Sequence, residues 1–180
     1  FDIKVKHYHC DNGRFADNLF KSHVKKEHQT ISYSGVSSHH QNSKAEKRIR
    51  DLKDSERTML LHEEARWTRA IIRNSWTYAL IQVCTISKQM PRTDNLTTPL
   101  EMFTSIRTSS NMNHQHVFGC PVYTINKQVA DGMKAPKWEE RSILGINLGN
   151  SPCHAGNFYL VLNPTTALVS PQFHVHHDDS

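Results

Sequence analysis

The fold is decided by residues 43–61, which read SKAEKRIRDLKDSERTMLL. Apolar side chains recur at helical spacing in this stretch, at Ile49, Leu52, Met59 and Leu60. They predict an amphipathic helix whose apolar stripe faces a core. A serine at the start and a glutamate three residues later match the sequence pattern of a capping box.

The other face of this predicted helix is charged. At about 100° per residue, Arg50, Lys53 and Arg57 lie within roughly 40° of Glu46. One carboxylate and three cations therefore share a solvent-facing stripe. Such a stripe suits a metal-binding carboxylate flanked by phosphate contacts, and it is equally typical of an exposed helix with i,i+4 ion pairs.

Short elements are predicted on both sides of the helix. A strand over 4–9 runs into the turn sequence Asp11-Asn12-Gly13, and a helix over 15–26 and a strand over 31–33 follow. Towards the C-terminus we predict a helix over 64–88 stopped by Pro91, a short helix over 98–103 with Pro99 at its first position, and a Ser/Asn/His-rich linker over 105–115. Short strand-like runs and turns then indicate a small β-barrel, at 116–123, 143–146, 158–162 and 167–169.

Charge is divided unevenly along the 180 residues. Residues 1–90 hold 16 basic and 10 acidic side chains, whereas residues 91–180 hold 6 and 7. A polyanion partner for the first half is one interpretation, because Lys and Arg neutralise phosphates and release counterions. A solvated basic face without a partner is the other.

Several classes of protein are excluded or disfavoured. No apolar run is long enough for a membrane span, and the N-terminus does not resemble a signal peptide. The chain does not begin with Met, so we expect a fragment, a processed product or the product of an incomplete gene model. Four scattered cysteines predict neither a disulfide scaffold nor a Cys-type zinc site, and they favour a reducing compartment. These are Cys10, Cys84, Cys120 and Cys153.

Two carboxylates carry the chemical hypothesis. Asp11 follows a predicted strand, Glu46 lies in the first turn of the predicted helix, and 34 residues separate them. Carboxylate oxygens are the ligands that Mg²⁺ prefers, and such sites support phosphodiester chemistry with two metal ions. The same residues also fit an ordinary turn and an ordinary helix cap.

Three sequence blocks resemble one family. They are CDNGRF at 10–15, GVSSHHQNSKAEKRIR at 35–50 and RTMLL at 57–61. Their order and spacing resemble the integrase of copia-type (Pseudoviridae-like) retrotransposon Pol polyproteins. Later segments agree with the same resemblance, at 98–103, 116–123, 136–145 and 170–175.

The resemblance implies a fold and a domain organisation. The fold class is α/β (α+β), with a truncated ribonuclease-H-like integrase core followed by a small SH3-like β-barrel. The core and its trailing helices would occupy 1–104, the linker 105–115 and the barrel 116–177. The family's first catalytic Asp and its N-terminal zinc module have no counterpart here, and Ser43 and Lys44 depart from the family pattern.

The resemblance also implies a site. Asp11 matches the second and Glu46 the third of three metal-binding carboxylates, which in the intact family hold two Mg²⁺ or Mn²⁺ ions. The implied activity is cleavage at DNA element ends followed by joining to target DNA, in an intracellular and finally nuclear setting with no membrane partner. Nucleic-acid contacts are expected from Asn42, His40, Lys47, Arg50, Lys53 and Arg57.

Two functions therefore remain open from the sequence. One is an integrase fragment, inactive by itself because the first catalytic Asp is missing and prone to self-association through an unpaired sheet edge. The other is a catalytically dead remnant that binds nucleic acid or protein. An in-frame upstream segment carrying an Asp-bearing strand would favour the first.

The histidine and aromatic residues allow two interpretations each. The pairs His7/His9, His114/His116 and His174/His176 would each share one face of a strand, but no third ligand stands at a recognisable spacing, so surface or packed histidines are favoured over zinc ligands. His39 and His40 precede the Glu46 helix. Core packing is favoured over base stacking for the large aromatic residues Trp67, Trp76, Tyr78 and Trp138.

Overall fold

The computed structural model describes residues 4–11, 13–35, 42–67, 75–91, 96–107, 115–130, 132–134, 136–154 and 156–180. The fold is α+β, with helices, a parallel strand pair and a five-stranded antiparallel sheet. It divides into two compact units, Phe1–Asp51 and Leu52–Ser180. Over the described ranges, no helix has the length and apolar character needed to cross a membrane.

The first unit is built on two parallel strands. Strand β1 (His7–Cys10) leads through a 3-10 turn (Arg14–Ala16) and helix α1 (Asn18–Lys26) to strand β2 (Thr30–Tyr33). Parallel neighbours need a crossover of this kind, because a tight hairpin can join only antiparallel strands. The predicted strands and the predicted helix between them are confirmed.

Helix α1 packs on one face of this strand pair. Its Val24 is almost fully buried. The ring of Phe20 meets the rings of Tyr8 and Phe15 edge-on, with centroids 5.5 and 5.6 Å apart. This small aromatic cluster covers the apolar face of the strand pair.

Helix α2 (Ser43–Glu64) confirms the helix predicted from residues 43–61. All side chains of 43–51 are exposed, and Ile49 is 54% exposed. The prediction that Ile49 faces a core is therefore wrong, because the side chains of this part of the helix are exposed to solvent. The apolar stripe of α2 is partly buried nearer its C-terminal end, where Met59 and Leu60 pack on apolar residues.

Two further helices and a one-turn helix lie in the second unit. They are α3 (Trp76–Gln89), α4 (Pro99–Thr104) and α5 (Lys127–Ala130). The predicted Pro99 at the start of α4 is confirmed, and a reciprocal capping box of Thr98 and Glu101 fixes that end. Most of the predicted linker 105–115 lies outside the described residues, and the predicted domain boundary there stays a prediction.

The second unit is built on an antiparallel sheet of order β6-β5-β4-β3-β7. The predicted run of short strands is confirmed, whereas the last of the five was not predicted. The strands are β3 (Pro121–Ile125), β4 (Ser142–Asn150), β5 (Tyr159–Leu162), β6 (Val169–Gln172) and β7 (Val175–His177).

Two apolar clusters hold this sheet in place. One contains Ala79 of α3 with Ile146, Leu148 and Leu162 of the sheet, and Phe118. Residues of α2, α3 and their connection pack on its edge, at Met59, Leu60, Trp67 and Tyr78. The second cluster contains Cys120, Val122, Tyr159 and Val161. The ends of α2 and α3 therefore share a core with the sheet.

The large aromatic residues divide into two groups. Trp67 and Tyr78 pack on the first cluster, and the Trp67 indole N–H donates to the carbonyl of Gly119 over 2.8 Å, so their predicted core position is confirmed. The prediction is wrong for Trp76 and Trp138, which are 51% and 90% exposed. Trp138 lies in the turn-rich segment before β4, where its described neighbour is the ammonium of Lys137, 5.3 Å from the ring centroid.

Candidate functional site

The candidate site begins where β1 ends. Strand β1 stops at Cys10, and Asp11 follows it with an exposed side chain. A Cβ at Gly13 would lie 3.5 Å from both carboxylate oxygens of Asp11, so the chain turns closely around this carboxylate. Burial, and then the negative charge of Asp11, raise the pKa of the Cys10 thiol. The Cys10 thiol is buried, and its raised pKa disfavours the thiolate, which is the reactive form.

Glu46 lies in the first turn of α2, as predicted, and its side chain is exposed. A carboxylate is favoured at this end of a helix, because the unpaired N–H groups there carry partial positive charge. Asp11 and Glu46 belong to the same compact unit, Phe1–Asp51. Residues 36–41, which connect β2 to α2, lie outside the described residues.

The predicted nucleic-acid contacts lie mainly on α2. Lys47, Arg50, Lys53 and Arg57 are all exposed along this one helix. Their spacing around the helix axis places the last three on the same side as Glu46. Asn42 is half-buried just before the helix begins. His40 lies outside the described residues.

The first unit carries an excess of positive charge of its own. Ten Lys and Arg residues stand against five Asp and Glu residues between 4 and 51. The lysines at the end of α1, Lys25 and Lys26, are exposed, and Lys21 lies with its ammonium 5.6 Å from the centroid of the Tyr33 ring. Coulomb attraction would draw a polyanion to this unit.

The histidines of β1 bond to hydroxyl groups of β2. His7 and His9 share one face of the strand pair, as predicted, and both approach the hydroxyl of Ser32, His7 through Nε2 at 2.9 Å and His9 through Nδ1 at 2.8 Å. Nδ1 of His7 lies 2.7 Å from the hydroxyl of Thr30. The sequence reasoning missed these partners. The alternation of Thr30, Ser32 and Ser34 opposite the histidines was the signal that could have found them.

Asp11 at the end of β1 and Glu46 at the start of α2 each fit a hard divalent cation in one respect. Asp11 and Glu46 offer exposed carboxylate oxygens, which Mg²⁺ accepts together with bound waters. In the described part of the chain, no group of three or more His, Cys, Asp and Glu side chains is arranged to hold a metal ion. The four cysteines are free thiols, two of them buried.

Comparison with known proteins identifies no relative. No protein-family model matches the sequence, and a search of curated proteins gives no match either.

Proposed function

We propose that this chain is a segment of a copia-type integrase, with part of a ribonuclease-H-like core followed by an SH3-like barrel. The observation that carries the proposal is the placement of two acids. Asp11 stands at the end of a parallel strand, and Glu46 stands in the first turn of a long helix, α2. Strands β6 and β7 lie at opposite ends of the sheet order β6-β5-β4-β3-β7, although only two residues connect them. Such a short connection requires the sheet to curl, and this supports the barrel assignment.

In this proposal the helix α2 is the surface that holds DNA. Arg50, Lys53 and Arg57 form one exposed row of cations, and Lys47 adds a fourth charge in the same turns. Such side chains bind phosphate oxygens of the backbone and carry no sequence information by themselves. The chain is therefore expected to bind duplex DNA of any sequence, with an affinity that falls steeply as salt rises.

Asp11 and Glu46 would hold a divalent cation beside this surface. The ion, when bound, would supply polarisation of the phosphodiester and activation of the attacking hydroxyl. The two carboxylates would position it, and the cations of α2 would orient the DNA backbone against it. The alternative function, a catalytically dead remnant that binds nucleic acid or protein, differs from this proposal because it makes no use of the two carboxylates.

Charge reversal on α2 tests the DNA surface. We expect the triple variant Arg50→Glu, Lys53→Glu and Arg57→Glu to bind a 30-base-pair duplex at least tenfold more weakly at low salt. The slope of log affinity against log salt should fall by about 1 for each phosphate contact that is lost. Fluorescence anisotropy at several salt concentrations measures both quantities on the 180-residue chain.

A matched control separates local contacts from net charge. Lys134→Glu, Lys137→Glu and Arg141→Glu also take the formal net charge from +5 to −1, in exposed residues that precede β4. This control should retain most of the affinity and the native salt slope. Equal losses in the two triple variants, with both still folded by circular dichroism, would rule out α2 as the DNA surface.

A further inference from the structure

A stacked pair of imidazole rings joins β7 to the segment before β3. The rings of His116 and His177 are parallel within 1°, and their centroids lie 3.6 Å apart. The ring of Tyr159 in β5 meets both of them edge-on, with centroid distances of 5.4 and 4.4 Å. Tyr159 belongs to the second apolar cluster, so the two stacked rings pack against this cluster.

Asp179 holds this pair in place from the end of β7. Its Oδ2 lies 2.8 Å from Nδ1 of His116, and its Oδ1 accepts the backbone N–H of Val117 over 2.9 Å. The backbone N–H of Asp178 donates to the carbonyl of Pro121 over 3.0 Å. Strand β7 itself has three residues, so these contacts form a large part of its attachment.

His177 is the ring for which a positive charge is unfavourable. It is half-buried, and its Nε2 is buried without a hydrogen-bond partner among the described residues. An unpaired buried N–H costs more when the ring is charged. A protonated His177 would also face His116 at stacking distance, and like charges repel there.

We propose that the stacked pair of His116 and His177 is a pH-sensitive latch, which holds β7 on β3 at neutral pH and releases it in acid. The trigger is the proton that His177 takes up once it leaves the stack. Release would uncover the hydrogen-bonding edge of β3, to which β7 is paired at Val122, Tyr123 and Thr124. The inference does not depend on DNA binding.

Groups around the latch set the direction of its pH dependence. Burial, followed by the charge of His116, lowers the pKa of His177 to about 4, against the opposing charge of Asp179. Burial alone would raise the pKa of Asp179, but its bonds to His116 and Val117 outweigh burial and lower it. The other titratable or charged groups packed near the latch are Tyr159, Cys120, His176, Asp178 and Arg66.

The direction in which pH changes the stability of the latch follows from the proton affinities of its closed and open states. A released His177 has the ordinary histidine pKa, about 6.5, so the open state binds the proton more readily than the closed state. The latch therefore has its full strength above about pH 6.5 and weakens as the pH falls towards 4. Asp179 loses its own contribution below that range, because its pKa is lowered.

Hydrogen exchange on the whole chain tests the latch. We expect the protection of the Asp178 amide, corrected for intrinsic exchange, to fall by roughly tenfold or more between pH 7.5 and pH 5. Amides in the pairing of β4 with β5 are the internal reference and should change less. An NMR titration of the His177 ring in the native chain should give a midpoint below pH 5.

Two variants decide between the latch and general acid sensitivity. His177→Phe keeps a ring in the stack and removes the titrating group, so the Asp178 amide should lose its pH dependence. His176→Phe, at the exposed neighbouring position, should keep the native behaviour. A constant native protection, or a loss of pH dependence in His176→Phe alone, would overturn the proposal. If His177→Phe does not fold, a His177 midpoint at pH 6 or above in the native chain overturns it.

Discussion

The backbone of Gly119 lies close to a buried acid, Glu63. Its φ is +76°, and a Cβ there would lie 2.9 Å from Cβ and Cγ of the fully buried Glu63. Burial raises the pKa of Glu63, and the hydroxyl of Ser75 donates to its Oε2 over 2.7 Å, so this acid cannot easily move aside. We expect Gly119→Ala to lower the free energy of unfolding by about 2–4 kcal/mol, through backbone strain and overpacking together. Urea unfolding measures the loss.

Gly132 provides the matched control at the same scale. Its φ is +82°, but a Cβ there would meet nothing within 4 Å. Gly132→Ala should therefore cost only the strain of a left-handed alanine, about 1–2 kcal/mol. If both substitutions cost the same, contact between the added Cβ at position 119 and Glu63 contributes nothing to the loss of stability.

At the scale of single elements, helix α2 changes character along its length. All side chains of 43–51 are exposed, whereas Met59 and Leu60 pack on the core and Glu63 is buried. Isolated helical turns are marginal in water, and helices gain most of their stability from packing. We expect the amides of 46–51 to exchange at least tenfold faster than those of 59–64. Equal protection along the helix would mean that the N-terminal turns are covered in solution.

The same elements explain what could be predicted from the sequence. The 3.6-residue pattern, the turn sequence that begins at Asp11 and the proline at the first position of α4 are local signals, so the sequence predicts α2, the position of Asp11 and the start of α4. Helix α5 and strand β7 have four and three residues, too few for any periodicity. The exposure of Ile49 depends on which elements pack against α2, and neighbouring residues do not encode that.

The candidate site could be predicted from local sequence, whereas the stacked histidines could not. Its exposed acids and cations follow from turn and helix chemistry, and they were named from the sequence. The meeting of His116 with His177 was not, because it depends on β7 pairing with β3 about fifty residues earlier in the chain. His40 lies outside the described residues, and its role stays a prediction.

At the scale of the whole molecule, we expect DNA binding without catalysis. Two-metal phosphoryl transfer needs ligands on both ions, and the proposed site has two carboxylates, Asp11 and Glu46. We therefore expect the purified 180-residue chain to bind DNA without joining it, in Mg²⁺ or Mn²⁺. The assay is nicking and strand transfer on duplexes with element ends, beside an Asp11→Asn control. Metal-dependent joining that disappears in the control would show that the chain completes its own metal site.

The four thiols differ in their access to solvent, and this has a practical consequence. Cys153, between β4 and β5, is exposed, Cys84 is half-buried, and Cys10 and Cys120 are buried. Burial raises the pKa of the Cys120 thiol to about 12 and also raises that of Cys10, so little thiolate is present at either residue near neutral pH. Alkylating reagents react with thiolates, so a brief maleimide treatment should modify Cys153 first. The native sequence thus offers one preferred attachment point for a dye, on the unit that contains the latch.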